Sequence, residues 1–174
     1  MLLKLIQPLP SHQAKAEEFK REFIKYHFSQ HGFGGMERYD DYLEWLAFMV
    51  KQKDEKNVTQ GRVPAETLFV VNKKEDKIIG IVDIRYRLND YLLQIGGHIG
   101  ISIRPKYRNR GLGTQALKLA LERCKELCID RVLITCNKTN QASAKMIINN
   151  GGVFENEVVE EDGTILQRYW IDNK

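Results

Sequence analysis

Hydrophobic positions change period several times along the chain, and each change marks an element. Residues 2–7 alternate and read as a short strand, closed by Pro8 and Pro10. From Ser11, an N-cap residue, Ala16, Phe19, Phe23, Tyr26 and His27 recur at helical spacing. That helix is expected to end near Ser29, where HGFGG breaks the pattern. A second helix places Tyr39, Tyr42, Leu43, Leu46 and Val50 on one face, and a polar run over residues 51–62 follows it. The period then falls to two. Residues 67–72 and 78–87 are rich in Val and Ile and joined by a lysine-rich turn, which predicts an antiparallel hairpin, with residues 97–103 as the next strand. RNRGLG opens a strong helix striped by Leu112, Ala116, Leu117, Ala120, Leu121, Cys124 and Cys128. A buried strand over 131–136, a short helix over 141–148 and a hairpin of 153–160 with 164–170, turned at Asp162-Gly163, complete the series.

The pattern is that of an α/β (α+β) fold. In the strand, helix, strand segment 97–136, a crossover carrying one helix implies parallel strands in a right-handed unit. Its glycine-rich turn therefore sits at a helix N-terminus, where free N–H groups and the macrodipole suit a phosphate. Arg104, Lys106, Arg108 and Arg110 crowd just before Gly111 and Gly113, and glycine lets backbone amides approach an anion closely. A tight turn with a solvated basic rim, or a nucleic-acid patch, explains the same residues. It is not a P-loop, since no Lys-Ser or Lys-Thr follows, and GxGxxG is incomplete at Ala116.

Composition narrows the class. At 174 residues the chain matches one domain of the usual ~150, spanning 1–174. A 43% hydrophobic content with 29% interspersed charge excludes disorder, and the net charge of +4 suits a phosphate-bearing ligand without requiring nucleic acid. No stretch reaches the ~18 uncharged apolar residues of a spanning helix, and MLLKLIQPLP lacks a signal-peptide core, so a cytoplasmic location is expected. Cys124, Cys128 and Cys136 lack CxxC spacing and are expected to be buried free thiols. His12, His27 and His31 show no metal-ligand spacing, so no metal is assigned.

Arg108-Asn109-Arg110-Gly111-Leu112-Gly113 resembles the R/Q-x-x-G-x-G/A loop of the GNAT superfamily of N-acetyltransferases, which bind acetyl-coenzyme A. Downstream, Asn140-Gln141-Ala142-Ser143 and Gly151-Gly152-Val153-Phe154 resemble the family's second signature, in the right order. The element series matches that topology from near residue 2 to near 171, and Arg85-Tyr86-Arg87-Leu88 through Ile103-Arg104-Pro105 resembles a bacterial subgroup of such enzymes. The resemblance implies a mixed central sheet of about seven strands flanked by about four helices, with a parallel β-α-β pair at the cofactor site. It implies acetyl-coenzyme A as donor substrate and a small-molecule or peptide amine as acceptor. No metal, membrane or nucleic acid is implied, and a homodimer is a possible assembly. Arg108, Asn109, Arg110, Gly111, Leu112, Gly113 and Thr114 would meet the pyrophosphate. The backbone of Ile101 and Ile103, on a strand that splays from its neighbour, would meet pantetheine and polarise the acetyl carbonyl, and Asn140 and Ser143 would touch the pantetheine arm. Asn140 would otherwise order the catalytic water, or be no more than a helix N-cap.

Acetyl transfer to an amine needs a neutral amine, a polarised carbonyl and a proton for the departing thiolate. Many members of the family place a Tyr seven residues after the Asn for that proton, where this chain has Ile147. A thiol pKa of ~8.5 makes water a sufficient acid, while a non-catalytic coenzyme A sensor remains the alternative. His98 is the candidate base, sharing a strand face with Gly100 and Ser102, unless it is structural. Glu37, Asp40, Asp41 and Glu44, interleaved with Tyr39, Tyr42 and Trp45, would wall the acceptor site, where GNAT folds commonly place it, and attract an ammonium group. The helix dipole alone also accounts for acidic residues there.

Overall fold

The computed structural model describes residues 2–26 and 31–174. His27 and the expected end of the first helix near Ser29 lie outside the described residues. The order is β1 (Leu3–Ile6), α1 (Gln13–Lys25), α2 (Tyr42–Gln52), β2 (Ala65–Asn72), β3 (Lys77–Arg85), β4 (Ile99–Ile103), α3 (Leu112–Glu126), β5 (Arg131–Asn137), α4 (Gln141–Ile148), β6 (Val153–Val159) and β7 (Ile165–Asp172).

Among the described residues seven strands form two antiparallel sheets, β1-β2-β3-β4 and β5-β7-β6, instead of one mixed sheet. Among the described residues no ladder joins β4 to β5, so the expected parallel pair meets only at one end. All eight residues of β2 are buried. Leu68 and Val70 pack into the cluster that holds α3, while Phe69 and Val71 pack with Phe19, Phe23 and Trp45 of α1 and α2. A sheet covered on both faces needs continuous apolar strands, and β2 and β3 supply them.

Two expected faces were different. On α2 the buried residues are Tyr42, Trp45, Met49 and Gln52, whereas Leu43 and Val50 are exposed. The segment YLEWLAFMV is apolar nearly all round, so periodicity alone does not choose its inner face. Cys128 is also exposed, in a left-handed turn (φ 57°) just past the end of α3, while Cys124 and Cys136 are buried. The helix ends before Cys128 can join its stripe.

Arg104 fastens the end of β4 to α1. Its side chain is 1% exposed, its Nε donates to Ile78 O at 2.8 Å, and its Nη1 reaches Glu18 and Glu22 at 3.1 and 2.7 Å. It therefore leaves the basic cluster expected to face an anion.

Candidate active site

The cleft begins where the two sheets part. Arg104 N–H donates to Ile79 O and His98 O accepts from Arg85 N–H, which sets the even-numbered residues of β4 against β3. Ile99, Ile101 and Ile103 therefore present their backbone groups at the other edge. That edge meets β5 through a pair of bonds at His98, whose N–H donates to Leu133 O at 2.7 Å and whose Nδ1 accepts from Leu133 N–H at 2.9 Å. Beyond them opens a cleft of about 590 Å³, lined by residues 99–101 on one wall and 134–137 on the other. Arg108 Nε donates to Ile103 O at 2.9 Å, so the carbonyl is taken and the N–H groups of Ile101 and Ile103 remain toward the gap.

The glycine-rich turn does not line that cleft and lies next to it, behind Met146 of α4. Asn109 (φ 57°) and Gly111 (φ 71°) are left-handed, and Gly111 is the N-cap of α3. Gln115 N–H bonds back to Gly111 O at 3.1 Å, so the N–H groups of Leu112, Gly113 and Thr114 lack intrahelical partners. A Cβ on Gly111 would meet nothing within 4 Å, which leaves open space for an anion beside those donors. Arg110 is exposed beside it. Gly113 is placed differently, since a Cβ there would lie 3.1 Å from Met146 Sδ. Its small size serves the contact between α3 and α4.

Asn140 and Ser143 both line the cleft. Asn140 Oδ1 accepts from Ser143 N–H at 3.1 Å, so the residue caps α4 and keeps its amide nitrogen as a donor. Ile147 lines the cleft too and is fully buried, without a proton to give.

His98 does not face the cleft as a base. It is 7% exposed, and Leu133 N–H occupies the Nδ1 lone pair, which leaves Nε2 as the protonated nitrogen of a neutral ring. Burial, with Arg85 adding to it, pushes its pKa down to about 4. The ring ties β4 to β5.

Of the acidic set, Glu37 alone lines the cleft. Its Oε2 is buried without a hydrogen-bond partner, and its Oε1 lies 3.4 Å from Arg38 Nε. Asp41 caps α2, its Oδ1 accepting from Leu43 N–H at 2.8 Å, and Glu44 sits exposed in the first turn. For these two the dipole explanation is sufficient. Asp40 is exposed outside the cleft.

The GNAT acetyltransferase domain model matches residues 10–153, most of the chain, with the glycine-rich turn and Asn140-Gln141-Ala142-Ser143 inside it. The chain belongs to the GNAT acetyltransferase family. This GNAT protein is by class an acyltransferase. No curated protein sequence matches it. Solved structures do. A GNAT-family acetyltransferase from Streptococcus pneumoniae is 23% identical with a TM-score of 0.67, over 97% of this chain and 98% of that one. Ribosomal-protein-S5-alanine acetyltransferase from Vibrio fischeri is 20% identical with a TM-score of 0.65, over 99% and 92%. A single-site variant of spermidine N-acetyltransferase from Vibrio cholerae is 15% identical with a TM-score of 0.64, over 99% and 95%.

Sequence reading missed the floor and rim of the GNAT cleft. Asp83 and Arg85 on β3 form an ion pair at 2.9 Å, and Thr67 Oγ1 donates to Asp83 at 2.8 Å. The register that brings these three together is tertiary. Glu160 and Thr164, from the β6–β7 turn, close another side. HGFGG, read only as a helix breaker, brings residues 31–35 to the cleft. Its three glycines, Gly32, Gly34 and Gly35, were the available signal.

Proposed function

We propose that the chain transfers the acetyl group of acetyl-coenzyme A directly to a primary amine. The observation that carries this reading is the unpaired edge of β4, with the Ile101 N–H turned into a cleft and the α3 N-terminus beside it. The thioester supplies an activated acyl group. Ile101 N–H donates to its carbonyl oxygen, where negative charge develops as nitrogen adds. Ile103 N–H and the amide of Asn140 meet the pantetheine arm, next to Ser143. Leu112, Gly113 and Thr114 N–H groups, with Arg110, hold the pyrophosphate, the left-handed turn through Asn109 and Gly111 keeping Cβ atoms clear. Arg108 contributes by anchoring Ile103.

The unpartnered Glu37 Oε2 fits an acceptor that carries positive charge, whether a polyamine such as the spermidine enzyme's substrate or a protein amine. With Ile147 in place of an acid, water protonates the thiolate. A thiol-release assay with acetyl-coenzyme A and a panel of amines tests the reading, with calorimetric titration of coenzyme A alongside. Release with at least one primary amine is expected, and Arg110→Ala should weaken coenzyme A binding about tenfold, as for one charge-assisted bond of ~1.5 kcal/mol. Tight coenzyme A binding without release for any amine would make the protein a sensor instead.

A further inference from the structure

The proton leaving the attacking nitrogen needs an acceptor on the cleft wall, and the His98 ring is committed elsewhere. Loop 31–35 supplies one. Gly32 is seated on the Gly100-Ile101 peptide so closely that a Cβ there would run into Gly100 O and lie 2.8 Å from Ile101 N. Ser102 Oγ donates to His31 O at 2.6 Å. These two contacts fix the backbone of His31 against β4, the strand whose Ile101 N–H the acetyl carbonyl would meet. The residue lines the cleft and remains solvent-exposed at its mouth. The charged groups that face it are Arg85 of β3, itself paired with Asp83, and Glu160 at the start of the β6–β7 turn.

We propose that His31 is the proton acceptor for the incoming amine. The proposal rests on the acetyltransferase reading above. As the nitrogen lone pair forms the N–C bond, the proton on nitrogen passes to the free lone pair of the imidazole. The C–S bond then breaks with its electron pair on sulfur, and the thiolate takes a proton from water. The imidazolium returns its proton to solvent, so amine and thioester become amide and thiol with nothing left over. Partial burial, and after it Arg85, lower the His31 pKa against the opposite pull of Glu160, which favours the neutral ring.

His31→Gln tests it with the best amine of the panel. The expected result is a fall in kcat/KM on the order of 10²-fold, loss of the acidic limb of the pH profile, and unchanged coenzyme A affinity by calorimetry. Added imidazole should restore part of the activity of His31→Ala. In NMR titrations of the free protein, one imidazole titrating below its usual range should vanish in His31→Gln. A fall of less than about threefold with the limb retained overturns the proposal. So does loss of coenzyme A affinity in both variants without rescue by imidazole, since His31 would then only shape the loop. If the parent protein acetylates no amine, the acetyltransferase reading falls first and takes this one with it.

Discussion

His98 carries a pH dependence that belongs to stability and not to turnover. With a native pKa of about 4 against 6.5 in the unfolded chain, protonation favours the unfolded state. The stability linked to the neutral ring is complete above about pH 6.5 and is lost as pH falls toward 4, by up to about 3 kcal/mol. Melting temperatures of His98→Gln between pH 4 and 7 should show a flatter acid limb than the parent, and an identical limb would remove the buried neutral ring from the account. Arg104 is the other residue whose burial redefines it. Arg104→Ala removes the bond to Ile78 O and the partner of Glu22, while Glu18 keeps Lys77 at 3.0 Å, and should cost about 1 to 3 kcal/mol in urea unfolding. Coenzyme A affinity of the folded variant should not change. A weakened affinity with normal stability would return Arg104 to the phosphate site.

At the scale of elements, the two glycines of the turn separate binding from packing. Gly111 has open space where a side chain would begin, so Gly111→Ala should cost only the ~1 kcal/mol of a left-handed alanine. Its methyl group stands at the mouth of the α3 N-terminus, and coenzyme A affinity should fall by more than about tenfold, or ~1.4 kcal/mol. Gly113→Leu should instead force Met146 aside and drive α3 from α4, an overpacking cost of about 1 to 3 kcal/mol. Melting and calorimetry on both variants decide the matter. An unchanged coenzyme A affinity in Gly111→Ala would show that the turn holds no anion.

At the scale of the whole molecule, the cleft is a wedge between two sheets joined through His98 and Leu133 and through the α3–α4 layer. A ligand that fills such a wedge stabilises both sides together. Coenzyme A at 100 times its dissociation constant should add about 2.7 kcal/mol, or roughly 5 to 11 °C in melting temperature for a domain of this size. Hydrogen exchange at Ile101 should slow with it. A melting temperature that ignores saturating coenzyme A would sink the wedge as its binding site.

Local pattern was enough for most elements, because strand alternation, helical stripes and the Asp162-Gly163 turn are short-range signals: β2, β3, α3, α4 and the last hairpin lie within a few residues of their expected bounds. The glycine-rich turn at the start of α3 was legible for the same reason, since an N-cap glycine and the N–H groups after it are consecutive in the chain. What the sequence left open was every choice between partners distant along it. Which side of α2 turns inward depends on the sheet it meets, and which arginine is buried depends on where α1 lays Glu18 and Glu22. Where β4 meets β5 is fixed by His98, bonded across the gap to Leu133, which lies 35 residues away in the chain. Glu37, the Asp83–Arg85 pair of β3 and Glu160 come from three separate segments, and only tertiary contacts bring them to the cleft beside His31.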